Sequence, residues 1–314
     1  MKILAVDDDP DFLAIFEMLL KDLGYSDVTL AVSGEDALWK IAGESKPFDC
    51  FILDIQMPGI DGIELCRRIR ALPEYQDTPI TMNTVVSDRD HIDRAFAVGA
   101  TDYLTKPINE VEIQARLGVL QKLVDARRKQ QARSTEQSVS QASPPTVGFM
   151  DSVPMKRVDG AIDQIALCNY IQTLGFFRSR SIALVAVQVT NARHIHEMDG
   201  GAVFGEVMID VATCLSDSLN CSPKMIAYLG GGTFVCLLPR DDAMRTESLS
   251  QNVSRYVMEF ETVYGELDIT LPNIEVGPPL LCRPVHVKNP SRALEEVAAA
   301  FRSTHVHFPV ERLA

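Results

Sequence analysis

Over the first 106 residues, short apolar runs alternate with longer amphipathic ones. "KILAV" (2–6), "VTLAV" (28–32), "DCFILD" (49–54), "PITMNTVV" (79–86) and "DYLTK" (102–106) have the length and flanking residues of strands. The fourth is unusually polar, with Thr81 and Asn83 inside it. Between them, "DFLAIFEMLLKDLG", "GEDALWKIA", "GIELCRRIRAL" and "RDHIDRAFAVG" repeat apolar residues three and four apart, which puts them on one face of a helix. Gly24 ends the first of these helices. Parallel strands need a crossover between them, and a helix supplies it. The alternation therefore predicts an α/β, doubly wound, five-stranded parallel sheet with helices on both faces.

A further helical pattern begins at Glu110. Ile113, Leu117, Leu120 and Val124 are spaced by 4, 3 and 4, a heptad seam. The first two are expected to cover the sheet. Leu120 and Val124 are expected to reach past its end and pair with a second copy in a weak parallel homodimer. The following "ARRKQQARSTEQSVSQASPP" is rich in Ser and Gln and ends in two prolines, so it reads as a linker. The expected division is 1–122, a linker over 123–150, and a second domain over 151–314. In that second domain "ALVAVQV" (183–189) is strand-like and "GAVFGEVMIDVATCLSDSL" is a long amphipathic helix. "KMIAYL" and "TFVCLLP" form a hairpin through Gly230-Gly231-Gly232. The helix "ESLSQNVSRYVMEFETVY" precedes "LDITLPNIEVG", and "SRALEEVAAAFRS" is the last helix. The pattern is mixed α/β.

Composition narrows the function classes. The 314 residues carry a formal net charge of -13, with 46% hydrophobic and 23% charged residues, which fits two globular domains. So acidic a chain repels phosphate backbones, and DNA is not an expected partner. The basic cluster Arg127, Arg128 and Lys129 reads as a solvated helix face. The seven cysteines are odd in number, none is spaced C-x-x-C and most sit in apolar runs, as reduced core thiols do. No apolar run approaches the ~18 residues of a membrane span, and a strand followed by three acids replaces any signal peptide. A cytoplasmic protein away from the membrane is expected. Two His-x-His pairs, His194/His196 and His305/His307, would each share a face on a strand, but no third metal ligand accompanies them.

The chemistry concentrates at strand ends. Asp7, Asp8 and Asp9 close the first strand, Asp54 the third, Thr84 the fourth and Lys106 the fifth. Doubly wound sheets bind ligands beyond the carboxyl ends of their strands. Clustered carboxylates call for a hard cation, with Mg²⁺ the usual one. One carboxylate can attack a phosphoryl group, while lysine and metal offset the charge. A threonine hydroxyl can hydrogen-bond the phosphoryl oxygen and report it.

"AVDDDP", "LDIQMPGIDG", Thr84 and "DYLTKP" resemble the chemotaxis-type receiver domains of two-component response regulators, a likeness covering about 1–122. The Met-Pro-Gly turn and Gly62 shape the loop after the nucleophile. The resemblance implies a flavodoxin-like fold with Asp54 as phosphoacceptor. It implies Mg²⁺ held by Asp8, Asp54 and the backbone carbonyl of Gln56, with Asp7 acting through water. It implies that Lys106 and Thr84 meet the phosphoryl group, and that Thr84 and Tyr103 switch inward. The donor would be a sensor histidine kinase or a phosphotransfer protein. Val85 departs from the small residue usual after the hydroxyl position, which bears on phosphorylation kinetics.

Strand, long helix and glycine hairpin over roughly 160–305 resemble the GGDEF family, the diguanylate cyclases. The signature stretch here is Gly230-Gly231-Gly232-Thr233-Phe234, so both carboxylates are missing, at Gly232 and Thr233. The family's other metal-binding Asp falls at Gln188, its guanine-reading positions near His196 and Glu197, and its inhibitory Arg-x-x-Asp at Cys221 to Lys224. Two-metal phosphoryl chemistry cannot run without carboxylates. The reading is a response regulator whose GGDEF-like output domain is not an enzyme but an adaptor for an unknown protein partner. Its rivals are a residual diguanylate cyclase or nucleotide-binding sensor, and a DNA-binding regulator, for which a basic recognition helix is lacking.

Overall fold

The computed structural model describes residues 1–85, 89–138, 147–155, 158–199, 201 and 203–304. It divides into two compact units, Met1–Pro145 and Thr146–Ala314.

The first unit runs β1 (Ile3–Val6), α1 (Pro10–Asp22), β2 (Val28–Ala31), α2 (Gly34–Gly43), β3 (Cys50–Asp54), α3 (Gly62–Ala71), β4 (Ile80–Val85), α4 (Arg89–Ala97), β5 (Asp102–Lys106) and α5 (Glu110–Ser138). Its five strands are parallel, in the order β2-β1-β3-β4-β5. Alternate residues feed two cores, because successive side chains on a strand point to opposite faces. Leu4, Val6, Phe51, Leu53, Ile80 and Met82 build one, with Ile63 and Ile69 of α3. Ile3, Ala5, Ile52 and Leu104 build the other, with Leu13, Phe16 and Leu20 of α1 and Ile113 and Leu117 of α5. Helix starts are chemically marked. Asp9 accepts hydrogen bonds from the backbone of Asp11 and Phe12, while Ser33 and Asp61 cap α2 and α3 in the same way.

The expected dimer seam is corrected by this packing. Leu120 is 1% exposed and Val124 5%, and Leu120 belongs to the core shared with α1. One turn beyond Val124, Arg128 is paired with Asp49 at 2.7 Å, just before β3. α5 thus stays docked on its own unit further than the sheet's length implied, and the seam offers a second copy no surface for the weak homodimer.

The second unit runs α6 (Gln164–Thr173), α7 (Gly175–Arg178), β6 (Ile182–Val189), α8 (Ala192–Asp199), α9 (Phe204–Ser218), β7 (Met225–Gly230), β8 (Thr233–Pro239), α10 (Arg240–Ala243), α11 (Thr246–Met258), α12 (Glu261–Glu266), β9 (Ile274–Val276), β10 (Leu280–Leu281), α13 (Pro284–Lys288) and α14 (Pro290–Thr304). Its sheet is antiparallel, in the order β10-β6-β8-β7, with β9 also on β6. Val185 and Val187 of β6 pack with Val207, Met208 and Val211 of α9 and Val253 of α11. β7 and β8 form the expected hairpin, and Gly230, Gly231 and Gly232 all have positive φ, which side-chain-bearing residues resist.

Two expectations change here. The helix foreseen across 247–264 is two, α11 and α12, and Tyr264 on the second reaches Asp210 on α9 at 2.6 Å. "LDITLPNIEVG" supplies only β9, since Pro272 cannot donate to a ladder. His194 and His196 lie on α8, where residues two apart diverge around the helix, so they share no face. His305, His307 and the linker stretch 139–146 lie outside the described residues.

Candidate functional site

The carboxyl ends of β1, β3, β4 and β5 meet in one crevice. Asp7, just after β1, is 1% exposed, and Asp54, the last residue of β3, is 5% exposed. Asp8 is exposed. One oxygen from each of these carboxylates lies within 4.8 Å of the others, and among the described residues this is the cluster fit to hold a metal ion. Lys106 places its ammonium 2.7 Å from Asp7 Oδ2 and 3.3 Å from Asp54 Oδ1, over the Phe12 ring at 4.5 Å.

One ammonium does not balance three carboxylates. Burial, and then the charge of Asp7, push the Asp54 carboxyl up to about 6 against the opposing pull of Lys106. Burial disfavours the charged form of Lys106, yet its ammonium is held above its ordinary range by Asp7 and Asp54. An all-oxygen set with excess negative charge suits a small hard cation such as Mg²⁺. The third member of the acidic run does other work: Asp9 caps α1.

Around this cluster, Thr84 is buried at 1% exposure and donates to Val85 O at 3.3 Å. Val85 is half exposed and Gln56 exposed. Tyr103 is half-buried against the α3-side core, with the Arg116 guanidinium 5.1 Å from its ring centroid. A Cβ on Gly62 would sit 2.0 Å from Asp54 O, so α3 can start against β3 only with glycine there. Two neighbours escaped the sequence reading. Phe12 is the apolar floor beneath Lys106, and nothing marks it among helix residues. Asn83 is the register partner of Asp54 on β4, buried, with Oδ1 unpartnered among the described residues. The polarity of its strand was the available signal.

The response regulator receiver domain family matches residues 3–118. Residues 3–118 are a response regulator receiver domain. The receiver is similar to protein RcaC of Microchaete diplosiphon, 38% identical over 116 residues, which cover 37% of this chain and 17% of that protein. It is similar to the signal transduction histidine-protein kinase BarA of Escherichia coli K12, 38% identical over 110 residues, 35% of this chain and 12% of that protein. The solved structure of chemotaxis protein CheY4 of Vibrio cholerae is 34% identical, with a TM-score of 0.36, covering 38% of this chain and 97% of that one. The chain thus spans under a fifth of those two curated relatives.

Beyond the receiver, the hairpin brings Gln188, Gly232 and Thr233 together. Thr233 Oγ1 donates to Gln188 Oε1 at 2.6 Å, and Gln188 Nε2 donates to Gly231 O at 3.0 Å. The Gly232 amide donates to the Tyr228 hydroxyl at 3.1 Å, and a Cβ at 232 would lie 2.4 Å from Ala192 Cβ. These groups are neutral and satisfy one another. His196 Nε2 is 2.8 Å from Val147 O, and Glu197 is exposed. No helix among the described residues is long and apolar enough to cross a membrane.

Proposed function

We propose that the chain is a response regulator that accepts a phosphoryl group on Asp54 and passes that state to a catalytically inactive, GGDEF-like second domain acting as a protein adaptor. The observation that carries the first half is the crevice: a buried Asp54 between two further carboxylates and the Lys106 ammonium. Mg²⁺ would be held by Asp8, Asp54 and the Gln56 carbonyl, with Asp7 through water. When bound, it neutralises the negative charge gathered on the carboxylates and phosphoryl oxygens. An Asp54 carboxylate oxygen attacks phosphorus of a phosphohistidine on a sensor kinase or phosphotransfer protein. A P–O bond forms, the P–N bond breaks, and the freed imidazole takes up a proton. Lys106 balances the added charge, Thr84 offers its hydroxyl to a phosphoryl oxygen, and Tyr103 moves inward with it.

The adaptor half rests on the hairpin. The strand–helix–hairpin order supports the GGDEF-like reading, as does a sheet centred on β6 and β8. Inactivity is supported by neutral Gln188 and Thr233 bonded to each other, and by a Gly232 position too crowded for a carboxylate side chain. The proposed divisions are 1–122, 123–150 and 151–314.

The test is acetyl phosphate with Mg²⁺ on the full chain, followed by intact and peptide mass spectrometry. One phosphoryl group should appear on the peptide carrying Asp54, and none on Asp54→Asn or, for want of a metal ligand, on Asp8→Ala. Equal labelling of wild type and Asp54→Asn would refute the assignment.

A further inference from the structure

The glycine hairpin of the second unit is partly covered, with Gly230 and Gly232 buried and Gly231 half-buried. Residues 147–150, which enter this unit from the linker, lie across it. The Gly231 amide donates to Phe149 O at 2.9 Å, and the Val147 amide donates to Gly201 O at 3.2 Å. His196 Nε2 on α8 is 2.8 Å from Val147 O. A turn holds the segment's shape, with the Gly148 amide donating to Asp151 Oδ2 at 2.9 Å and the Asp151 amide to Gly148 O at 2.9 Å.

The floor beneath it is made of glycine. A Cβ on Gly201 would lie 2.3 Å from Val147 O, one on Gly230 2.8 Å from Met150 O, and one on Gly231 3.0 Å from Met150 Sδ. Each of these glycines has positive φ. At Gly201 and Gly230 main chain therefore lies on main chain with room for no side chain between, while Gly231 lies against the side chains of Met150 and Phe149. At the centre stands Phe149. Its ring is 5.6 Å from that of His196 and 5.8 Å from that of Phe204, with the Arg193 guanidinium 4.6 Å away on its face. Arg193, His196, Phe204 and the glycine turn thus form a slot for an aromatic ring carried at the tip of a tight turn.

We propose that this slot is a peptide-docking site, held in the resting chain by its own residues 147–150 and able to exchange them for a turn-forming peptide of like chemistry. The kind of partner is a short apolar segment with one aromatic residue beside glycine or another small residue. The attachment is of the kind that exchanges. Val147 and Phe149 are only partly buried and Met150 is 68% exposed, whereas the enclosed core starts at Val153. The segment is the unit's leading end, so it can lift away without unthreading. It is also the last stretch of the proposed linker 123–150. The proposal deepens the adaptor reading, resting on it for purpose but not for contacts. Labelling of Asp54 plays no part in the test, so either can fail alone.

The probe is a fluorescent peptide with the sequence of residues 145–152, added to the full chain and to Val147→Gly/Phe149→Gly. Exchange of the Gly231 amide is followed by NMR, and binding by anisotropy. In wild type the Gly231 amide should be protected and the peptide should not bind. In the variant that amide should exchange at least about tenfold faster, the peptide should bind, and protection should return. A peptide with Gly in place of its Phe should do neither. Arg193→Ala, which leaves every main-chain contact in place, should give a smaller acceleration with the fold intact. If Gly231 stays protected in both variants, Phe149 does not hold the segment. If it is freed but the peptide does not bind, the slot does not exchange. Either result overturns the proposal.

Discussion

At the scale of single residues, Asp54 is held under electrostatic stress that has a thermodynamic signature. Its carboxyl titrates near 6 in the folded, cation-free chain, for reasons of burial and the neighbouring Asp7; an unfolded Asp titrates near ~4. Between those values the folded chain keeps a proton that the unfolded chain has lost. Asp54 therefore makes stability fall as pH rises through about 4 to 6, and the deficit is full above that window. Its size is on the order of 2 to 3 kcal/mol. In chelator, Asp54→Asn should be more stable than wild type by about 2 kcal/mol at pH 7, with the two converging below about pH 4. Urea unfolding at several pH values checks this, and a constant difference at all pH would point to packing instead. Adding Mg²⁺ at pH 7 should raise the stability of wild type far more than that of Asp54→Asn, because the cation and the protonated carboxyl relieve the same repulsion. The acidic run and Lys106 were legible in the sequence as a group. The split of the run was not, since only the turn into α1 sends Asp9 to a cap while leaving Asp7 inside.

At the scale of elements, β5 and α5 are joined by a buried ion pair that the sequence does not advertise. Asp102 at the start of β5 is 5% exposed, and Arg116 Nη1 lies 2.5 Å from its Oδ1. Burial raises the Asp102 carboxyl above its ordinary range even against the pull of Arg116. Removing the arginine leaves a buried charge without its partner. Arg116→Leu should therefore cost about 3 to 5 kcal/mol, much of it recovered when Asp102→Asn is added. Chemical denaturation of the two variants decides it. A cost under about 1 kcal/mol would mean that water reaches Asp102. The same helix shows what periodicity leaves open. A 4-3-4 apolar spacing identifies a buried stripe but not the surface that buries it, and here Leu120 packs into the receiver core. Leu120→Glu should accordingly unfold the receiver rather than dissociate a dimer. Loss of its cooperative thermal transition at concentrations where wild type is monomeric would display that.

At the scale of the whole molecule, the proposed reading of the second unit as an inactive GGDEF-like domain is tested at its glycine hairpin. On that reading, writing the two carboxylates into the hairpin should not create cyclase chemistry. Gly232→Asp/Thr233→Glu places a side chain where Ala192 Cβ stands 2.4 Å from the new Cβ and breaks the Thr233–Gln188 hydrogen bond, with Gln188 still unable to hold a metal. Incubation with GTP and Mg²⁺ should yield no cyclic product by chromatography, and the variant should melt below wild type; turnover would mean that the hairpin relaxes more than its packing allows. The sequence by itself determined the receiver almost completely, because a doubly wound parallel sheet leaves little freedom once its strands, helices and strand-end acids are in order. It also determined the hairpin, since three successive glycines between two apolar runs accept the positive φ that a tight turn demands. Only the tertiary structure decided which surface covers Leu120, that Asn83 lies beside Asp54, and that residues 147–150 lie on the glycine turn. Those contacts join residues far apart in the chain, through backbone approach and burial, and no local spacing encodes them.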